Sequence, residues 1–132
     1  MENRKILVVD DEPDMRIFVS TVVETTGFEA VTANDGTEAL KKAREINPDL
    51  VILDVMMPKI EDGIYTYQEF RTDENLARIP VIMLSAIAKR TFSYSVRMLN
   101  PRKNVHIAEP EAYMEKPPDA DELSALIKKT AA

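Results

Sequence analysis

Asp10 and Asp11 follow the apolar run "ILVV", Asp54 follows "LVIL", Ser85 follows "VIML" and Lys116 follows "AYME". Three acids, a hydroxyl and an ammonium group form a set with a specific use if they meet. Three carboxylates cannot share a small site as free anions, so a positive partner is required, and oxygen ligands select a hard divalent cation. Mg2+ fits best, because it takes one or two protein carboxylates, keeps several waters and leaves coordination positions for phosphate. A hydroxyl and an ammonium group offer a phosphoryl group one hydrogen bond and one charge partner. The set reads as phosphoryl chemistry at a carboxylate.

Composition narrows the other possibilities. The chain has 132 residues, enough for one domain with a real core, and no cysteine, which excludes disulfides and thiolate-ligated zinc or iron-sulfur sites. Its single histidine, His106, excludes a histidine-rich metal site. With 45% hydrophobic and 30% charged residues it has the composition of a soluble globular protein, and it has no apolar run of the length a membrane span needs. "MENRKIL" passes directly into the first apolar run, leaving no room for a signal peptide, so a cytoplasmic location is expected. A net charge of -6 argues against nucleic acid as a direct partner.

The elements that must position these residues follow from an alternation of short apolar bursts with longer amphipathic stretches, the pattern of a parallel sheet covered by helices on both faces. The bursts are "KILVVD", "EAVTA", "LVILDV", "PVIMLS" and "AYMEK". The first, third and fourth are continuous Val, Ile and Leu runs, as central strands require. Pro13 suits the first turn of a helix with Met15, Phe18, Val19, Val22 and Val23 on its inner face and Gly27 at its end. Ala39, Leu40, Ala43 and Ile46 line a second helix stopped by Pro48, and a third begins in "DGIYTYQEF". A fourth is expected near Lys89 to Leu99, then an extended loop in "NPRKNVHIAEP"; the last runs from about Asp119 to Lys129 with Leu123, Leu126 and Ile127 inward. In open α/β sheets ligands bind beyond the C-terminal strand ends, where all five candidate residues fall.

The ordered set of Asp10-Asp11, Asp54 in "LVILDVMMP", Ser85 in "VIMLSA" and Lys116 in "YMEKP" resembles the receiver domain of two-component response regulators, over nearly the whole chain. The resemblance implies a single-domain, flavodoxin-like, doubly wound sheet in the order 2-1-3-4-5. It implies that Asp54 is the phosphoacceptor, loaded from a histidine on a sensor kinase or phosphotransfer protein. Asp11 would be the direct carboxylate ligand of Mg2+, Asp10 would act through a metal-bound water, and Asp54 and the backbone carbonyl of Met56 would complete the protein ligands. Ser85 would bind a phosphoryl oxygen, Lys116 would pair with the acyl phosphate, and Tyr113 would be the aromatic that swings between outward and inward positions. Such a domain is no enzyme beyond acting on its own aspartate, and it switches its helix 4, strand 5, helix 5 face as a monomer or a phosphorylation-dependent dimer. Met56 and Ile87, two residues after Asp54 and Ser85, would flank the site and hinder the water that removes the phosphoryl group.

Departures from that pattern are local. One extra residue stands between Pro58 and Gly63, and Ser85 and Lys116 are 31 positions apart (116 minus 85), longer than is common in the family, with "EPEAY" where Gly-Ala is usual. An insertion near Leu99 to Pro110 is therefore expected. From Lys89 to Lys103 the charged residues are Lys89, Arg90, Arg97, Arg102 and Lys103, with no acid, which suits either a solvated segment or a docking face for an acidic partner. Each site residue also has a plain structural reading. Asp10 and Asp11 could be a solvated pair capping the first helix, Asp54 could cap a turn, Lys116 could be solvated, Ser85 could be a satisfied strand-end hydroxyl, and Tyr113, Met56 and Met57 could be core. Glu12 and Asp14 read as solvated first-turn acids, and His106 as a loop residue without a catalytic role. Two other functions remain open: a receiver-like binding module that is never phosphorylated, and a Mg2+-dependent phosphatase of the haloacid dehalogenase type, whose nucleophile follows the first strand in a D-x-D motif. The chain ends just after its last helix, so no output domain is expected in it.

Overall fold

The computed structural model describes residues 4–56, 59–99 and 106–131. Five strands and five helices alternate along the chain: β1 (Lys5–Val9), α1 (Pro13–Thr25), β2 (Glu29–Ala33), α2 (Gly36–Ile46), β3 (Leu50–Leu53), α3 (Ile60–Thr72), β4 (Val81–Ser85), α4 (Lys89–Met98), β5 (Ala112–Glu115) and α5 (Ala120–Thr130). The strands form one parallel sheet in the order β2-β1-β3-β4-β5, as expected.

Strand periodicity divides the core in two. Leu7, Val9, Val51, Leu53, Val81 and Met83 point to the side covered by α2, α3 and α4, where Ala39, Ala43, Ile64, Tyr67, Phe70, Phe92 and Val96 meet them. Ile6, Val8, Leu50, Ile52, Ile82 and Leu84 point to the other side, onto Val19, Val22 and Val23 of α1 and Leu123 and Ile127 of α5. β3 and β4 are buried at every residue, whereas the edge strands β2 and β5 are largely half-buried. Continuous apolar runs thus sit where both faces are covered.

One inward residue and two boundaries differ from the sequence reading. Phe18 is 37% exposed rather than inward, since the α1 stripe turns on Val19, Val22 and Val23. α2 is closed by Asn47 in the left-handed region (φ 50) before Pro48 is reached. α3 starts at Ile60, earlier than "DGIYTYQEF" suggests, because the Asp62 carboxylate accepts a hydrogen bond from the Lys59 N–H at 3.1 Å. Gly63 therefore lies inside α3, where a Cβ would collide with the backbone of Val55. This close approach seats the start of α3 against the chain leaving β3.

Among the described residues no helix is long and apolar enough to cross a membrane. α4 forms where expected, with Lys89, Arg90 and Arg97 exposed. Arg102, Lys103, Met57 and Pro58 lie outside the described residues, as does part of the expected insertion.

Candidate active site at the carboxylate rim

Register brings the strand ends together. Val9 pairs with Leu53, Leu53 with Met83 and Ser85 with Glu115, so β1, β3, β4 and β5 open onto one rim. Backbone bonds fix the residues just beyond: Asp10 N–H to the Ala33 carbonyl (3.2 Å), Asp54 N–H to the Val9 carbonyl (3.0 Å) and Lys116 N–H to the Ser85 carbonyl (2.8 Å). The side chains of Asp10, Asp54 and Lys116 therefore start from ordered backbone rather than from loose loop.

At the rim Lys116 Nζ stands 2.9 Å from Asp10 Oδ2, 3.4 Å from Asp54 Oδ2 and 3.5 Å from Glu12 Oε1. Asp10 and Asp54 are buried and the Lys116 side chain is only 10% exposed, so the solvated readings of Asp10 and Lys116 are excluded. The other Asp10 oxygen accepts the Glu12 N–H at 2.9 Å, and Asp54 Oδ1 accepts the Met56 N–H at 3.3 Å. Burial pushes the Asp54 carboxyl up to about 6; Lys116 works against this, Asp10 adds to it, and the Met56 N–H lowers it slightly. For Lys116 burial favours the neutral amine, but the bond to Asp10 and the charges of Asp54, Asp10 and Glu12 outweigh it and hold the ammonium above its ordinary range.

Asp11 is exposed at the mouth of this site. Carboxylate oxygens of Asp10, Asp11, Glu12 and Asp54 all lie within 4.8 Å of one another. One ammonium cannot neutralise four acids, and the donor set is oxygen only, the preference of Mg2+. Lys116 thus leaves negative charge unbalanced at Asp10, Asp11, Glu12 and Asp54, so the residues fit a divalent cation.

Ser85 is fully buried, and its Oγ accepts the Ile87 N–H at 3.3 Å. The Tyr113 hydroxyl donates to the Ile87 carbonyl at 2.6 Å, and the Tyr113 ring packs on Phe92 with centroids 5.5 Å apart. Burial pushes that hydroxyl up to about 12, with Ser85 lowering it, so it stays a donor at neutral pH. Met56 is 40% exposed beside Asp54, whereas Ile87 is half-buried and packs on the α2, α3, α4 core. His106 is exposed in a loop.

Glu12 is the residue that sequence reasoning passed over. It precedes α1 as its N-cap but makes no side-chain capping bond, and its carboxylate turns to Lys116 instead. Its position beside Asp10-Asp11 was the available signal, and its resemblance to a helix-start acid hid it.

Comparison with known proteins agrees with this geometry. Residues 6–128 match the model of the response regulator receiver domain. By sequence the chain is similar to the alkaline phosphatase synthesis transcriptional regulatory protein PhoP of Bacillus subtilis, 45% identical over 84 residues, which cover 64% of this chain and 34% of that protein. It spans about a quarter to a half of the length of the curated relatives it matches. By structure it is similar to chemotaxis protein CheY4 of Vibrio cholerae (TM-score 0.78, 26% identity, 98% of this chain and 99% of that one). It also resembles the receiver domain of sensor histidine kinase PA1611 of Pseudomonas aeruginosa, described with magnesium coordinated in its active site cleft (TM-score 0.80, 24% identity, 98% of each chain). This chain belongs to the response regulator receiver domain family.

Proposed function

We propose that Asp54 is a phosphoacceptor, loaded from a phosphohistidine on a sensor kinase or phosphotransfer protein, and that its phosphorylation shifts the α4, β5, α5 face between two states. The observation that supports this reading is Lys116 Nζ lying 2.9 Å from Asp10 and 3.4 Å from Asp54, which sets a charge partner between two buried carboxylates at the rim. Asp11, Asp54 and the Met56 carbonyl would hold Mg2+ directly, with Asp10 acting through a metal-bound water and Glu12 at the margin. A bound Mg2+ would offset charge on the phosphoryl oxygens.

The chain's own part is positioning and electrostatics. An Asp54 oxygen bonds to phosphorus as the phosphorus–nitrogen bond breaks, and the imidazole leaves with the electron pair. Lys116, already beside that carboxylate, pairs with the new acyl phosphate. Ser85 Oγ turns to donate to a phosphoryl oxygen and gives up the bond it accepts from the Ile87 N–H, which disturbs the loop whose carbonyl holds the Tyr113 hydroxyl. The group then acts by its preference for one of two states. Met56 and Ile87 flank Asp54 and Ser85 and slow attack by water. Lys89, Arg90 and Arg97, exposed on α4, offer an acidic downstream partner a docking face, and Arg102 and Lys103 follow them in sequence; with a net charge of -6 the chain itself is not read as touching nucleic acid.

Incubation with Mg2+ and a small phosphodonor, followed by intact mass, tests the reading. One adduct on the wild type and none on Asp54→Asn is expected. No adduct on a metal-bound wild type would favour the unphosphorylated binding module. Turnover of a phosphate monoester would favour a phosphatase, a reading disfavoured here because Glu12 stands at the third position of the D-x-D motif it needs after β1 and Asp54 after β3 would have no role.

A further inference from the structure

The lengthened span between β4 and β5 ends in a strap, residues 106–111, that is bound at the opposite end of the sheet from the carboxylates. Its anchor is Arg71 of α3, whose side chain is 5% exposed. Nη2 donates to the Glu109 carbonyl (2.9 Å) and to Glu111 Oε1 (2.7 Å), Nη1 to the Ile79 carbonyl (3.4 Å) and Nε to the Tyr67 hydroxyl (3.0 Å). The Tyr67 hydroxyl in turn donates to the Ala108 carbonyl, and Glu111 Oε1 also accepts the Val81 N–H at 2.6 Å. Ile107 packs on the same core as Phe92 and Tyr113. Lifting the strap would leave a buried guanidinium short of two partners and a buried hydroxyl short of its acceptor, so partial undocking is penalised. The strap is either seated or released.

Tyr67 is also the first ring of a continuous aromatic chain. Its ring meets Phe92 edge to face at 5.3 Å, and Phe92 meets Tyr113 at 5.5 Å, the residue whose hydroxyl is bonded beside Ser85. Close-packed rings cannot move singly without opening a void or a clash. We infer that seating of the 106–111 strap and the position of the Tyr113 ring are coupled through Phe92 and Tyr67, making the strap a second, distal end of the switch. The trigger rests on the phosphoacceptor reading; the coupling itself does not.

The test is amide hydrogen exchange in the full chain at Glu111 and Val81, whose N–H groups are hydrogen-bonded where the seated strap meets β4, with intact mass recorded for every sample. Tyr113→Ala should speed exchange of these two amides by at least about fivefold while β1 amides keep their rates, and Tyr67→Phe, which keeps the ring and removes the hydroxyl, should do the same. Combining the two should give less than the product of the single effects. Rates at these two amides within twofold of wild type in Tyr113→Ala, or independent effects of the two changes, would overturn the inference. Loading Asp54 should speed their exchange in the wild type, and an adduct without that change would also overturn it. Absence of any adduct would overturn the phosphoacceptor reading instead, with the coupling judged by the two variants alone.

Discussion

Two ends of the same sheet each bury a cation, and they use it in opposite ways. At the carboxylate rim Lys116, a point charge, faces Asp10, Asp54 and Glu12, with Asp11 close by. At the distal end Arg71, a planar fork, is met by one carboxylate, one hydroxyl and two carbonyls. Burial works against both charges, and their partners outweigh it in both cases. The difference is the balance around them. Arg71 meets one carboxylate, has an acceptor for four of its five N–H groups and holds a segment in place, whereas Lys116 is outnumbered by the carboxylates around it, one of which, Asp54, burial pushes up to about 6. A matched cation makes structure, and an outnumbered one leaves room for a second cation and a phosphoryl group.

The largest effect should come from removing the outnumbered charge. Lys116→Met is expected to slow phosphorylation by about 10²–10³-fold, the usual cost of losing one preorganised charge partner, measured by intact mass against time. Arg71→Met should instead show in urea unfolding, at about 3 kcal/mol, because Glu111 and Tyr67 lose a buried partner. Lys116→Met should cost less than about half of that, since Asp54 can take a proton rather than remain an unpaired anion. Equal stability losses at the two ends would remove the contrast.

The pH dependence has a definite sign. The folded Asp54 carboxyl is near 6, above its ordinary 3.8, so between these values the folded state holds the proton that the unfolded state has released. Stability of the metal-free protein should therefore fall as pH rises through that window, and Asp54→Asn should flatten the fall by about 1–2 kcal/mol after allowance for solvent screening. Saturating Mg2+ should flatten it as well. A smaller change is expected for Met56→Asn with Ile87→Glu, which should shorten the life of the phosphoryl group severalfold; an unchanged lifetime would remove these two from the site. Glu12→Gln, at a side chain 63% exposed, should alter stability by less than about 0.5 kcal/mol.

What was legible in the sequence was what has a short period or a fixed place. The runs at Ile6, Leu50 and Val81 announced buried strands, and strand ends announced Asp10, Asp54, Ser85 and Lys116. What was not legible depends on pairings across the chain. Arg71 and Glu111 are 40 residues apart and share no local pattern, so "EPEAY" registered as a departure from the family without revealing the strap it anchors. Glu12 was hidden for another reason: an acid before a helix has an ordinary use, and only the Lys116 distance shows that its side chain goes elsewhere. The start of α3 was misjudged because Gly63 looks like a breaker until the Val55 backbone beside it is seen.

The assignment of Asp54 can be tested at the level of the bond. Wild-type protein treated with Mg2+ and a small phosphodonor can be reduced with borohydride, which converts an acyl phosphate to an alcohol, and then mapped by peptide mass. Reduction at position 54 and at no other acid is expected. Reduction at Asp10 or Asp11, or none in protein shown to bind Mg2+, would contradict the assignment.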